Sequence, residues 1–454
     1  MKRNLTKGNA LQNLMIFSLP YLLSCFLQSF YGLADLFITG QFNGAEAISA
    51  VSIGSQVTHM LTFVIVGLST GTTVTIGQAI GSGDRQLAKR TIGNTVLLFS
   101  IFSILTTIFL ILSLNNILYL LSTPPESMKQ AQDYLKICIL STSFIVAYNV
   151  ISAVFRGIGD SKSPMYFIAI AGIINIFLDF LFIGPLGMGA AGAALATAIS
   201  QVCSVFLALW ALKKIDSGLS LCQNDFIPQK SVISKIFQVG LPIALQEGLV
   251  QMSFLVITAI ANQRGVMISA SVGIVEKIIS FLFLLPSAMM SSISAIAAQN
   301  AGAGKHERGR KTLFYGIKIC LVFGLTISIV CQIWSEPILR LFSKETAIIL
   351  MGAQYLRTYI FDCFFSGIQF CFCGYFCAYG KSYISFVQNI LSVFLIRIPG
   401  AYFATVLFPD TLAPMGLASP AGSLFSAALS ILIFGSLYRK KRRKTMHTVL
   451  PRSF

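Results

Sequence analysis

The chain has 454 residues, of which 55% are hydrophobic and only 11% charged, against roughly 45–50% apolar and about 25% charged in an ordinary soluble domain. So little charge excludes most soluble folds, and at about 20 apolar residues per bilayer-spanning helix the length has room for about a dozen spans. The net charge of +17 would suit nucleic acid or a membrane surface, and its distribution along the chain decides between them.

In chain order, apolar runs bounded by polar or Gly/Pro-rich breaks predict spans over 11–38, 47–76, 91–114, 131–155, 164–183 and 190–212. After a polar linker, six more are predicted over 235–261, 267–298, 313–334, 350–378, 384–407 and 420–438. The start Met1-Lys2-Arg3 imitates a secretory signal, yet no small-residue cleavage site follows and the run is too long, so it reads as the first span. Of the 33 Lys and Arg, 25 fall in the N-terminus, one alternate set of loops and the C-terminal tail, and 6 in the opposite loops. The positive-inside rule then predicts a multi-pass protein of the inner (plasma) membrane with both termini cytoplasmic. The tail from Arg439 to Lys444 follows a span directly, so it reads as an orientation signal and an anionic-lipid anchor. The lipid bilayer is the expected partner and nucleic acid is not.

The sequence repeats. Gln78-Ala79-Ile80-Gly81-Ser82-Gly83, closed by Lys89-Arg90, recurs as Gln299-Asn300-Ala301-Gly302-Ala303-Gly304, closed by Arg310-Lys311, at an offset of 221. Leu19-Pro20 recurs as Leu241-Pro242, and Phe155 with Gly159 as Phe376 with Gly380. The predicted organisation is an N-terminal six-helix bundle (1–215), a cytoplasmic linker (216–234), a C-terminal six-helix bundle (235–438) and a basic cytoplasmic tail (439–454). The fold class is therefore all-α integral membrane, with twelve transmembrane helices in two six-helix bundles. An even number of spans per repeat keeps the two halves in the same orientation, which implies a pseudo-two-fold axis along the membrane normal. The Gly-rich loops follow no strand and carry no Walker lysine, which argues against a nucleotide site.

An ionisable group at bilayer depth is costly and marks a candidate functional site. Five acids lie at that depth, Asp35, Asp179, Glu247, Glu276 and Asp362, with only Lys277 and Arg397 as basic residues at similar depth. The N-terminal half holds Asp35 and Asp179 with no embedded cation. At 1.5 Å per residue, Asp179 lies roughly 22 Å and Thr197 about 10 Å into their spans from opposite ends, at matching depth. Asn175 and Tyr31 each stand four residues before an Asp, on the same helix face. Two carboxylates with amide and hydroxyl oxygens suit a hard cation or a proton. The competing reading is a pair of protonated, hydrogen-bonded acids that only hold helices together. In the C-terminal half, Glu247, Glu276 and Asp362 face Lys277 and Arg397 as candidate ion-pair partners, so structural pairing competes evenly with a second substrate or cation site. Pro20, Pro242 and Pro286 interrupt spans, and Pro20 is a candidate hinge.

Other chemistry is poorly supported. The ten Cys lie almost entirely within spans, and of Cys371, Cys373 and Cys377 only the last two share a helix face. His59, His306 and His447 are dispersed. No cofactor, no resident metal and no catalytic set is expected, so the chain does not read as an enzyme.

The run Arg156-Gly157-Ile158-Gly159-Asp160-Ser161-Lys162-Ser163-Pro164-Met165, in the loop between spans 4 and 5, resembles the signature loop of MATE (multidrug and toxic compound extrusion) transporters, as does the basic Gly-x-Gly loop in each half. The resemblance covers essentially the whole chain. It implies two six-helix bundles around a central cavity, acting as a secondary active multidrug efflux antiporter. Cationic or amphipathic compounds would be exported in exchange for protons or sodium by alternating access. In the DinF-like branch the N-bundle cation site comprises an Asp on helix 1, an Asn and Asp four apart on helix 5 and a Thr on helix 6, which here are Asp35, Asn175, Asp179 and Thr197. Tyr31, Tyr134 and Asn149 match further polar positions of that branch. Glu247 and Asp362 resemble C-bundle acids of the NorM-like branch, although Thr358 stands where that branch has a tyrosine.

A monomer is expected. The alternatives are a lipid-linked oligosaccharide flippase of the related superfamily, which would carry more basic residues in its cavity, and an ion channel, which would conduct without exchange. Of the +17, the predicted cytoplasmic segments contribute +20, the outer loops nothing and the spans −3. The candidate function resides in that −3.

Overall fold

The computed structural model describes residues 4–214 and 221–449, with side chains up to Arg439. The start Met1-Lys2-Arg3, linker residues 216–220 and the tail side chains beyond Arg439 lie outside the described residues.

Every described span is helical. The first half comprises α1 (Ala10–Phe42), α2 (Ala45–Ser82), α3 (Arg85–Leu120), α4 (Pro125–Leu140), α5 (Thr142–Ile158), α6 (Lys162–Ile183) and α7 (Gly189–Lys214). The second comprises α8 (Lys230–Asn262), α9 (Val266–Leu282), α10 (Leu284–Gly302), α11 (His306–Arg340), α12 (Thr346–Tyr359), α13 (Phe361–Ala378), α14 (Ser382–Ser392), α15 (Ile398–Leu407) and α16 (Ala413–Val449). Eleven spans are long and apolar enough to cross a membrane, and α4 with α5 makes a twelfth, bent by 45°. The fold is thus an all-α, twelve-span membrane protein of two six-span repeats.

Local chemistry sets the boundaries. The Asn9 side chain accepts from the Leu11 and Gln12 amides and starts α1. Pro125 opens α4, where its missing N–H costs nothing. The predicted continuous fourth span breaks at Ser141, where the hydroxyls of Ser141 and Thr142 both donate to the Cys138 carbonyl, at 2.9 and 3.3 Å, and compete with the helix ladder. α5 ends on Gly159 at φ +99°, with the Asp160 amide donating back to Phe155 O at 2.9 Å. Its repeat partner Gly380, at φ +69°, lets the Lys381 amide reach Phe376 O at 2.8 Å. The repeated Phe and Gly are therefore the two ends of one helix cap that requires a left-handed residue.

Packing divides the chain into two units. The first is Met1–Gly248, Ser287–Tyr315 and Gly374–Tyr383, and the second Leu249–Pro286, Gly316–Cys373 and Ile384–Phe454. In the first unit α1 packs on α6, α6 on α7, and α2 on α4 and α5. Its Lys/Arg-rich end is tightly closed by the repeated motif. A Cβ on Gly81 would stand 2.0 Å from Gln299 O, and one on Gly302 would stand 2.0 Å from Gln78 O. The two glutamine side chains complete the symmetry, since Gln78 donates to Ala378 O at 2.8 Å and Gln299 to Gly157 O at 2.9 Å, again 221 residues apart. These glycines serve a helix crossing.

The linker folds back on α3. Asn94 donates to Ile227 O at 3.1 Å and accepts from the Gln229 amide at 2.6 Å, while Gln86 donates to the buried Asp225 carboxylate at 3.0 Å. Arg156 also departs from expectation. It is not a loop residue but occupies the last turn of α5, is 5% exposed, and its guanidinium lies 5.3 Å from the centre of the Tyr21 ring. In the second unit α12 packs on α9 and α16 over a core that includes Ile279, Tyr355 and Tyr359.

Candidate cation site

In the first unit, α1, α6 and α7 bring four sequence-predicted residues together. Small residues make this possible, because buried Ala190, Ala193, Ala194 and Ala196 let α7 approach its neighbours closely. Thr197 Oγ1 donates to Asp35 Oδ2 at 3.2 Å, and Asn175 Nδ2 donates to Thr197 Oγ1 at 3.4 Å. The carboxyl groups of Asp35 and Asp179 lie within hydrogen-bond reach of each other. Asp35 is 5% exposed, and Asp179 and Asn175 are fully buried. Four oxygens of this cluster, Asp35 Oδ1, Asn175 Oδ1 and both of Asp179, have no hydrogen-bond donor among the described residues. No described basic side chain forms an ion pair with either acid. An acceptor-rich, donor-poor cluster of hard oxygens is chemically matched to a small hard cation or to a proton shared between the carboxylates.

The supporting residues separate. Tyr134 is buried within electrostatic range of both acids, its ring tight against Gly54. The Tyr31 hydroxyl accepts from Gln201 Nε2 at 3.4 Å. Asn149 donates to Ile145 O of its own helix at 2.8 Å, and no hydrogen bond joins it to the cluster. Gln201 was missed from the sequence. Its only signal is its position four residues after Thr197, on the same face of α7.

The acids of the second half differ from one another. Asp362 and Arg397, both buried, pair at 3.6 Å, and Arg397 also donates to Ser423 Oγ at 2.7 Å from the end of a π-helical turn, Val393–Arg397. Glu276 accepts from Thr258 Oγ1 at 2.9 Å, while its Oε1 is buried without a partner. Lys277 corrects an expectation. One residue on from Glu276, it is turned about 100° around the helix, is exposed, and makes no ion pair among the described residues. Glu247, in the first unit, is half-buried and also has no ion pair there. The Thr358 hydroxyl donates to carbonyls of its own helix, at 3.3 and 3.1 Å. The aromatic hydroxyl nearest Asp362 in sequence is instead the buried Tyr359, which meets Tyr355 edge to face at 5.3 Å. Among the described residues no three His, Cys, Asp or Glu are grouped to hold a metal ion.

The family model described as MatE matches the chain twice, over residues 20–181 and 242–403. "Probable multidrug resistance protein YpnP" of Bacillus subtilis (strain 168) is 29% identical over 443 residues, covering 97% of this chain and 97% of that protein. The "FAD transporter" of Shewanella oneidensis is 27% identical over 427 residues, covering 92% of each. A crystal structure titled "MATE in the straight conformation" superposes with a TM-score of 0.90 at 23% identity, covering 97% of this chain and 98% of that one.

Proposed function

This chain belongs to the MATE family of transporters, and on that premise we propose that it is a multidrug efflux antiporter whose coupling cation binds at Asp35, Asn175, Asp179 and Thr197. It is a multi-pass membrane transporter and not an enzyme. The observation that carries the coupling reading is the convergence of two buried acids with no cationic partner, around oxygens that lack donors. A structural acid pair has no need of so many unsatisfied acceptors, whereas a site that alternately binds and releases a cation does.

The rest of the reading follows the distribution of charge. The Lys/Arg-rich end is the cytoplasmic one, with both termini there, and the bundles divide at the linker 216–234. A cationic or amphipathic cargo suits Glu247 and Glu276, acids without a cation of their own among the described residues. The coupling ion is a proton or sodium, and the protein works as a monomer.

The test is uptake of a fluorescent organic cation into proteoliposomes under separately imposed proton and sodium gradients. Wild type should respond to at least one gradient, and Asp35→Asn should lose that response while remaining folded. Equal transport by the variant under both gradients would remove the acid pair from the mechanism.

A further inference from the structure

Between the acid pair and the basic end, the first unit contains a file of buried polar groups in which three atoms have no hydrogen-bond partner. It starts at Thr197, which bonds Asp35, and descends one face of α7 through Gln201 and Ser204, four and seven residues on. Gln201 Nε2 reaches the Tyr31 hydroxyl, but its Oε1 and the Ser204 Oγ have no partner. α5 continues the file with Ser152, whose hydroxyl lies within hydrogen-bond reach of Tyr148, and with Arg156 four residues on, both buried, where Arg156 Nε is again unpartnered. The three helices face one another here, since Tyr148 and Ile151 of α5, Val205 and Ala208 of α7, and Tyr31 of α1 pack in one cluster.

Buried polar atoms in native proteins are nearly always satisfied, by ordered water where no protein group serves. One orphan is a local defect, but three between a cation site and the basic end, with the Ser152 hydroxyl among them, are what a hydrated track requires. Its far end is peculiar. Arg156 is buried with no carboxylate within ion-pair distance among the described residues; it stands in the last turn of α5, where the helix dipole favours a cation, and faces the Tyr21 ring. A fixed positive charge in a narrow polar passage is a barrier to cations.

We propose that this track is the route by which the coupling cation leaves Asp35 and Asp179 for the cytoplasm, and that Arg156 is the charge that closes it. Closure is tied to α1, because Arg156 rests on Tyr21, the residue after Pro20. Displacement of α1 at that point removes the ring that holds the guanidinium in place and opens the route. This inference rests on the coupling reading of the acid pair.

The experiment reads two quantities in proteoliposomes: cargo-driven exchange, and cation leak without cargo, followed with entrapped proton- and sodium-sensitive dyes. Arg156→Gln should raise the leak severalfold, and Tyr21→Leu should raise it less. Ser204→Val, which replaces a hydroxyl in the track by one methyl and adds a second, should slow exchange severalfold without raising the leak or changing the apparent affinity for cargo. Wild-type leak in both Arg156→Gln and Tyr21→Leu, or wild-type exchange in Ser204→Val, overturns the proposal. If Arg156→Gln does not give a monodisperse protein, Tyr21→Leu and Ser204→Val decide. Asp35→Asn, run in parallel, separates the two ideas. Loss of exchange there with normal behaviour in the track variants refutes the track alone, whereas normal exchange there refutes the coupling reading itself.

Discussion

Asp179 and Asp362 are both fully buried carboxylates at span depth, and what surrounds each one separates a working acid from a structural one. Asp362 has Arg397 at 3.6 Å, while Asp179 has another acid and no donor. Removing one partner of a buried pair typically costs about 3–5 kcal/mol, because the survivor is left uncompensated. Arg397→Met should therefore lower the unfolding temperature sharply in detergent, and adding Asp362→Asn to it should restore much of the loss. Asp179→Asn strands no cation, so it should unfold at or above the wild-type temperature while abolishing exchange. If thermal scans show Asp179→Asn destabilised as much as Arg397→Met, the N-terminal acids are structural. The sequence revealed these residues because a charge in an apolar run is conspicuous. It did not reveal Gln201, which is uncharged, or the burial of Arg156, since an Arg at the end of an apolar run reads as a loop cation until its helix is seen to continue past it.

At the scale of elements, the spans were legible because bilayer-length apolar runs leave few alternatives, and the cap glycines recur with their Phe partners. The break at Ser141 was not, because Ser and Thr within an apolar run carry no sign of which carbonyl they will take. The Gln and Gly repeat was visible as a repeat, yet its purpose, two helix ends crossing glycine to backbone, appears only in three dimensions. Gly81→Val and Gly302→Val should each force the crossing apart, since even the first added carbon has no room. Limited trypsin digestion at the basic segments 85–90 and 305–311 should then be faster than in wild type, and an unchanged digestion pattern would contradict the tight crossing. Pro20 makes the opposite prediction. α1 runs unbroken through it, with Ser24 Oγ donating to the Pro20 carbonyl at 2.9 Å. An interior proline costs about 3 kcal/mol of helix stability, so Pro20→Ala should stiffen α1, raise the unfolding temperature and slow exchange. An unchanged exchange rate would argue against the hinge.

For the whole molecule, the decisive contacts are those that keep the basic end of the first unit shut, because the proposed alternating-access cycle requires that end to open. Besides the glycine crossing, a strap formed by residues 4–9 lies across it. Arg308 donates to the carbonyls of Leu5, Lys7 and Gly8, Lys305 to Thr6 O at 2.9 Å, and Asn300 to Leu5 O at 3.3 Å, with Leu5 itself almost fully buried. Asn13, one turn into α1, donates to Leu5 O and Lys7 O from the other side. The strap thus joins the start of α1 to the ends of α10 and α11, both of which must move if the end is to open. A single hydrogen bond from a charged donor contributes roughly 1.5–3 kcal/mol, and about 1.4 kcal/mol changes an opening equilibrium tenfold, so the net loss of even one of the three is felt. Arg308→Ala should therefore raise amide hydrogen exchange by about one to two orders of magnitude at 78–82 and 299–303 if those segments open with the strap as one unit. Exchange in α6 and α7 around the acid pair should stay as in wild type. Faster exchange confined to residues 4–9 would mean that the strap frays alone and that the glycine crossing holds the end closed without it.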